Sequence, residues 1–209
     1  MRTKLGNLCM VIGTALILGA LYLFLSNQAE TEQAERASAE VMPELIEQIQ
    51  QVQEEEPPEQ TWEIPEVPVE LLTEEERKMT EKVIYGRRYI GYLGIPVLEL
   101  ELPILSQWTY PDLQVSPARY YGSVKGEDLV LLAHNYPKHF GKISTLTEGD
   151  RITFTDMDGE VWEYEVVSKD IVDPYAVEEV ISGDYDLTLF TCTYGGKSRV
   201  TVYCDRIKE

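Results

Sequence analysis

Apolar and polar positions fall along this chain in three patterns, and each predicts a different element. Leu5 to Leu25 is a run of 21 residues without a charge. As a helix, that length crosses a hydrocarbon layer of about 30 Å. From Ser26 to about Leu72 the apolar positions thin out among Glu, Gln and Pro. Glu54-Glu55-Glu56-Pro57-Pro58 and Ile64-Pro65-Glu66-Val67-Pro68 break helices and favour extended chain. Only Pro43 to Gln53 has helical spacing there, with Leu45, Ile46, Ile49 and Val52 on one face. The remainder consists of short runs with a period of two, the spacing of strands.

Thr73-Glu74-Glu75-Glu76 has capping-box spacing and predicts a short helix through about Ile84, stopping near Gly86. Strands are expected at Tyr89–Leu93, at Val97–Leu102 with Pro103-Ile104-Leu105 closing the run, and at Asp128–Ala133. Two more, Ile152–Thr155 and Val161–Val167, flank the turn Asp156-Met157-Asp158-Gly159. Ser116–Tyr121 reads as a helical turn and Tyr175–Ile181 as a short helix. With a final hairpin, this makes seven or eight short strands and little helix. An all-β domain with minor helices follows, closed into a seven- or eight-stranded barrel because closure removes exposed edges.

The final hairpin carries the candidate chemistry. Leu187, Leu189 and Thr191 alternate with Thr188, Phe190 and Cys192, and Val200 to Tyr203 form the return strand. Between them Tyr194-Gly195-Gly196-Lys197 is a turn in which glycines take positive φ at little cost. Centring the hairpin on Gly195 and Gly196 sets Cys192 opposite Arg199, on one face with Cβ atoms about 5 Å apart. A fixed positive charge beside a sulfur favours the thiolate, the nucleophilic form. The same register sets Cys204 opposite Leu187, roughly 16 Å from Cys192 and beyond disulfide reach. On the hairpin alone, Cys192 reads better as a small buried hydrophobe and Arg199 as a solvated strand charge.

Charge and composition narrow the classes. Residues 26–80 hold 16 glutamates against Arg36, Arg77 and Lys78, and residues 81–209 hold 21 acidic against 13 basic residues. Nothing offers the basic face a nucleic-acid binder needs. Three cysteines exclude a disulfide scaffold and a four-cysteine zinc site. Arg2 and Lys4 precede the apolar run and acids follow it, so the positive-inside rule puts the N-terminus in the cytoplasm and the rest outside. Ser26-Asn27-Gln28-Ala29 is a poor signal-peptide cleavage site, which favours an uncleaved anchor with Cys9 as a small residue within it. The expected partition is a tail at 1–4, an anchor at 5–25, an acidic stalk at 26–80 ending in a short helix, and a catalytic domain at 81–209. An alternative is that the stalk around Trp62 folds over the site as a lid.

The chain has two histidines, His134 and His139. His134 ends the apolar run at Ala133, where a buried strand surfaces at a barrel rim. His139 lies in the following loop. A Cys–His catalyst needs one imidazole near the thiol, and a strand end is the more rigid mount, so His134 is favoured with His139 in reserve. Two histidines five apart do not form a zinc motif.

Together these segments resemble the sortases, membrane-anchored cysteine transpeptidases of Gram-positive surfaces. Thr188-Leu189-Phe190-Thr191-Cys192 fits the family's TLxTC motif, and Arg199 follows on the next strand. Leu131-Leu132-Ala133-His134-Asn135, Phe140, Gly149-Asp150 and Leu102-Pro103-Ile104 fit as well. The resemblance implies that Cys192 is the nucleophile, His134 the general acid and Arg199 an oxyanion-stabilising residue. Thr191 is then a candidate for substrate positioning, and the Thr193 backbone N–H a candidate second donor to the oxyanion. It also implies an LPxTG-like sorting signal on surface proteins or pilins as acyl donor. Lipid II, peptidoglycan or a pilin lysine would supply the amine. No cofactor is expected. A calcium site, known in some members, is left unassigned, with Glu99, Glu101, Asp170 and Asp173 read as solvated carboxylates. No Asp-Pro-aromatic lid motif occurs in the stalk. Two rivals remain: an exported cysteine peptidase or amidase that releases its product to water, and a non-catalytic assembly protein.

Overall fold

The computed structural model describes residues 2–55, 77–181, 184–193 and 195–208. Among these residues nine strands form one mixed sheet. They are β1 (Lys82–Ile84), β2 (Arg87–Ile95), β3 (Leu100–Leu105), β4 (Ala118–Tyr121) and β5 (Leu129–Leu132), then β6 (Arg151–Asp156), β7 (Val161–Val172), β8 (Leu187–Cys192) and β9 (Arg199–Arg206). The order β2-β3-β4-β5-β8-β9-β7-β6 closes through β2–β6 pairing, giving an eight-stranded barrel with β1 as an added hairpin strand on β2. The expected closed barrel is present. Its interior is filled by alternate residues of each strand, including Ile90, Leu93, Leu129, Leu131, Leu187, Leu189 and Val202, all essentially inaccessible. Closure of β2 on β6 requires Gly91, since any Cβ there would collide with the Thr155 carbonyl.

Two local expectations are corrected. Ala118–Tyr121 is strand β4 and not a helical turn. Ala118 pairs with both Leu105 and Leu132, and the buried Ser116 hydroxyl ties the preceding residues to the Pro103 carbonyl. Lys82–Ile84 is β1 and not the end of a helix, because the turn at Tyr85 and Gly86, both at positive φ, folds it back onto β2. The capping box Thr73–Glu76 and Trp62 lie outside the described residues.

The largest departure is at the N-terminus. Residues 26–55 do not form an extended stalk. A single helix, α1 (Arg2–Glu55), runs from the apolar segment onto the barrel without a break. At 1.5 Å per residue its 54 residues extend about 80 Å. Its first half is bare: Met10, Leu16, Ile17 and Phe24 are each at least 65% exposed. Its second half buries Ala34, Ser38, Val41, Leu45 and Ile49, spaced by three or four residues as one helical face demands. Val41, Leu45 and Ile49 pack with Ile84, Tyr89, Leu105, Leu113, Ala118 and Met157 of the barrel. Pro43 is tolerated because it lies on the exposed face, where its missing N–H leaves the Ala39 carbonyl to water. Farther on, Gln53 Nε2 donates to the Gly159 carbonyl (2.9 Å) in the β6–β7 turn.

Candidate active site

β5 and β8 run parallel, paired from Leu129 with Leu187 to Leu132 with Phe190, so they surface at the same end of the barrel. Two hydrogen bonds lock that end. The Ala133 N–H donates to the Phe190 carbonyl (3.3 Å), and the buried Thr191 hydroxyl donates to the Ala133 carbonyl (2.8 Å). His134 and Cys192 each follow a residue held by this clamp. Across β8 and β9 the observed register pairs Cys192 with Arg199 and Leu187 with Cys204, as the glycine-centred hairpin predicts. Gly195 and Gly196 both have positive φ.

His134, Thr191, Cys192 and Arg199 line one cleft of about 200 Å³. All but the buried Thr191 are partly exposed. A second wall is aromatic. Trp108 stacks on Tyr120 (6.1 Å between centroids, 30°), and Tyr120 meets Phe190 edge-on (5.3 Å, 88°). Trp108 lies just before the short helix α2 (Tyr110–Leu113), whose N-cap Thr109 accepts from Asp112 N–H. The third side is the connection from β7 to β8, where Asp173, Pro174, Ala176 and Val177 face the cleft and Tyr175 is 88% exposed. Helix α3 (Val177–Val180) belongs to this connection. The cleft therefore offers an apolar groove beside a thiol, an imidazole and a guanidinium.

The two histidines occupy opposite environments. His134 is half-buried; burial lowers its pKa from the ordinary imidazole value, and the Glu30 carboxylate opposes that effect. Its ring packs on Tyr136 (4.9 Å), which in turn packs on His139 (5.6 Å). His139 is wholly buried and does not line the cleft, and among the described residues its ring nitrogens make no well-formed hydrogen bond, only a marginal one to the Val115 backbone. Burial, then the neighbouring His134, lower its pKa to about 4, with the Val115 backbone offsetting part of this. Access to Cys192 thus favours His134 over the reserve. The loop between them is tight, since a Cβ on Gly141 would strike the Asn135 and Tyr136 carbonyls.

Arg199 and Thr193 are engaged elsewhere in this state. Arg199 Nη1 donates to the Gly196 (3.3 Å) and Ser198 (3.2 Å) carbonyls, so the guanidinium rests on the turn. The Thr193 N–H donates to the Ser198 carbonyl (2.9 Å), closing the hairpin. Thr191 spends its hydroxyl on the Ala133 carbonyl, a contact that sets the spacing of the His134 and Cys192 segments. Of the acidic residues, Glu99 and Glu101 border a different groove from the one Asp173 faces. Among the described residues no three Asp, Glu, His or Cys side chains form a metal cluster. Sequence reasoning missed the aromatic wall, Tyr136 and Glu30. Helical spacing of Ala34, Ser38 and Val41 was the signal that could have placed Glu30 near the barrel.

The closed mixed barrel thus carries a cleft with a thiol, an imidazole and a guanidinium at the ends of adjoining strands. The chain belongs to the sortase family: the profile described as Sortase domain matches residues 93–207. It is 34% identical over 112 residues to Sortase A of Bacillus anthracis, covering 51% of this chain and 53% of that protein. The chain thus spans about half the length of that curated relative. Among solved structures, it resembles the Pilus Island 1 Sortase C2 of Group B Streptococcus, with TM-score 0.52, 27% identity, and coverage of 66% of this chain and 81% of the other. It likewise resembles sortase C1 of Streptococcus agalactiae in fold, with TM-score 0.53, 24% identity, and coverage of 66% and 79%.

Proposed function

We propose that this protein is a membrane-anchored cysteine transpeptidase that cuts an LPxTG-like sorting signal and joins the released carboxyl end to an amine. The observation that carries the reading is the convergence of Cys192, His134 and Arg199 on one cleft. The Cys192 thiolate attacks the scissile carbonyl, and His134 protonates the departing amine as the thioester forms. Arg199 leaves the turn carbonyls and neutralises the developing oxyanion. Thr193 takes part through its N–H only if the hairpin-closing bond to Ser198 opens. An incoming amine gives its proton to His134 and displaces Cys192, restoring the thiolate and forming a new amide. The aromatic wall of Trp108, Tyr120 and Phe190 supports an apolar peptide in the groove.

The bare apolar stretch of α1 supports a membrane anchor, and Arg2 and Lys4 before it with acids after it support an N-terminus in the cytoplasm and the barrel outside. The partition at 1–4, 5–25, 26–80 and 81–209 is proposed in amended form, with residues 26–55 as a docked helix. Surface proteins or pilins carrying a sorting signal are the acyl donors. Lipid II, peptidoglycan or a pilin lysine is the acceptor.

The test is incubation of the full chain with a fluorogenic LPxTG peptide and a panel of amines, including triglycine and a lysine peptide. An amide adduct detected by mass spectrometry is expected, with a thioester trapped on Cys192. Cleavage that yields only the free acid with every amine would make the protein a peptidase instead.

A further inference from the structure

Helix α1 reaches the site. Tyr136 Oη donates to Glu30 Oε2 (3.3 Å), and the same Tyr136 ring packs on His134 with centroids 4.9 Å apart. A second contact follows a turn later, between Lys138 Nζ and Glu35 Oε1 (2.8 Å). Both contacts seize the loop that carries His134. We propose that Glu30 is a positioning residue for His134, acting through Tyr136, so that the catalytic imidazole is set only when the anchor helix is docked. The proposal rests on His134 serving the transfer reaction described above.

A phenol held by a carboxylate loses freedom to turn about its side-chain torsions, and the ring fixes the face against which the imidazole packs. On the other side of Tyr136 the buried His139 ring closes the stack. The carboxylate also favours the charged imidazole, opposing the burial that disfavours it. The other ionisable groups around His134 are Tyr136 and His139 of its own loop, Cys192 of β8, Arg199 of β9, Asp173 after β7, and Tyr110 and Tyr120 across the cleft. Among the described residues, Glu30 is the group that the helix bearing the apolar run sets against His134.

The experiment uses the full chain in lipid nanodiscs, labelled with carbon-13 at the histidine Cε1. Two histidines give two signals, and His139, which titrates near pH 4, is separable from His134. Glu30→Gln should lower the His134 titration midpoint and reduce kcat about three- to tenfold with little change in KM. Tyr136→Phe keeps the ring and should reproduce the loss in kcat, and the double variant should be no worse than either single one. Glu32→Gln, in an exposed pair with Arg36, should change neither quantity. An unaltered His134 midpoint in Glu30→Gln overturns the proposal, whatever happens to the rate. The titration needs no turnover, so a parent chain that titrates as expected yet transfers nothing refutes the transferase reading and leaves the positioning role standing.

Discussion

The two ends of the β8–β9 ladder are built from the same strands and do opposite work. At the turn end, Cys192 and Arg199 are half-exposed, and Arg199 has its hydrogen bonds on the turn carbonyls. At the base, Cys204 faces Leu187, is fully buried, and has its thiol pKa pushed well above the usual range by that burial. A cysteine becomes a candidate nucleophile through its position on the ladder, not through its residue type. The Thr191 clamp marks the boundary between the two regimes.

The contrast can be tested in order of expected effect. Cys192→Ala should abolish thioester formation, with turnover down by at least about 10³-fold and thermal unfolding unchanged. His134→Gln should cost about 10²–10⁴-fold in kcat, whereas His139→Gln should affect stability far more than rate. Acidification tests the buried imidazole. Folded His139 binds its proton only near pH 4, whereas the unfolded chain binds it near 6.5. The unfolded state therefore holds more protons between those values, and stability is complete above pH 6.5 and falls toward pH 4. The loss should reach about 3 kcal/mol by chemical denaturation, and the His139→Phe variant should flatten that slope. Thr191→Val should cost about 1–3 kcal/mol of stability and also lower kcat, since it removes the clamp. Smallest of all, iodoacetamide on the native chain should label Cys192 and leave Cys204 unmodified in a peptide map.

How far the sequence revealed this architecture depended on the range of the forces involved. Alternation and a glycine turn are local, and they specified the pairing of Cys192 with Arg199 to the residue. The end of an apolar run marked His134 for the same reason. The aromatic wall was not legible, because Trp108, Tyr120 and Phe190 come from three segments brought together by barrel closure. Residues 26–55 misled because Glu and Gln make up 14 of these 30 residues and Pro-rich runs follow them. A single buried face on the barrel outweighs those residues, and no local pattern identifies the groove that receives it. Ser116–Tyr121 went astray similarly, its β conformation being imposed by β3 and β5 on either side.

The unbroken course of α1 makes height and heading a single variable. A flexible tether of the 30 residues from Leu25 to Glu55 would let the barrel wander over roughly 30 Å in any direction. A docked helix allows no such wandering: Glu30 stands about 8 Å beyond Leu25 along the axis, and each residue added between them raises the barrel 1.5 Å and turns it by about 100°. An insertion of seven residues in that interval would lift the cleft two turns and leave it facing the same way. An insertion of two would point it to the far side. Under the proposed function, a membrane-anchored catalyst mounted in this manner would patrol a plane at one fixed altitude, and its clients would have to bring the reactive peptide to that altitude.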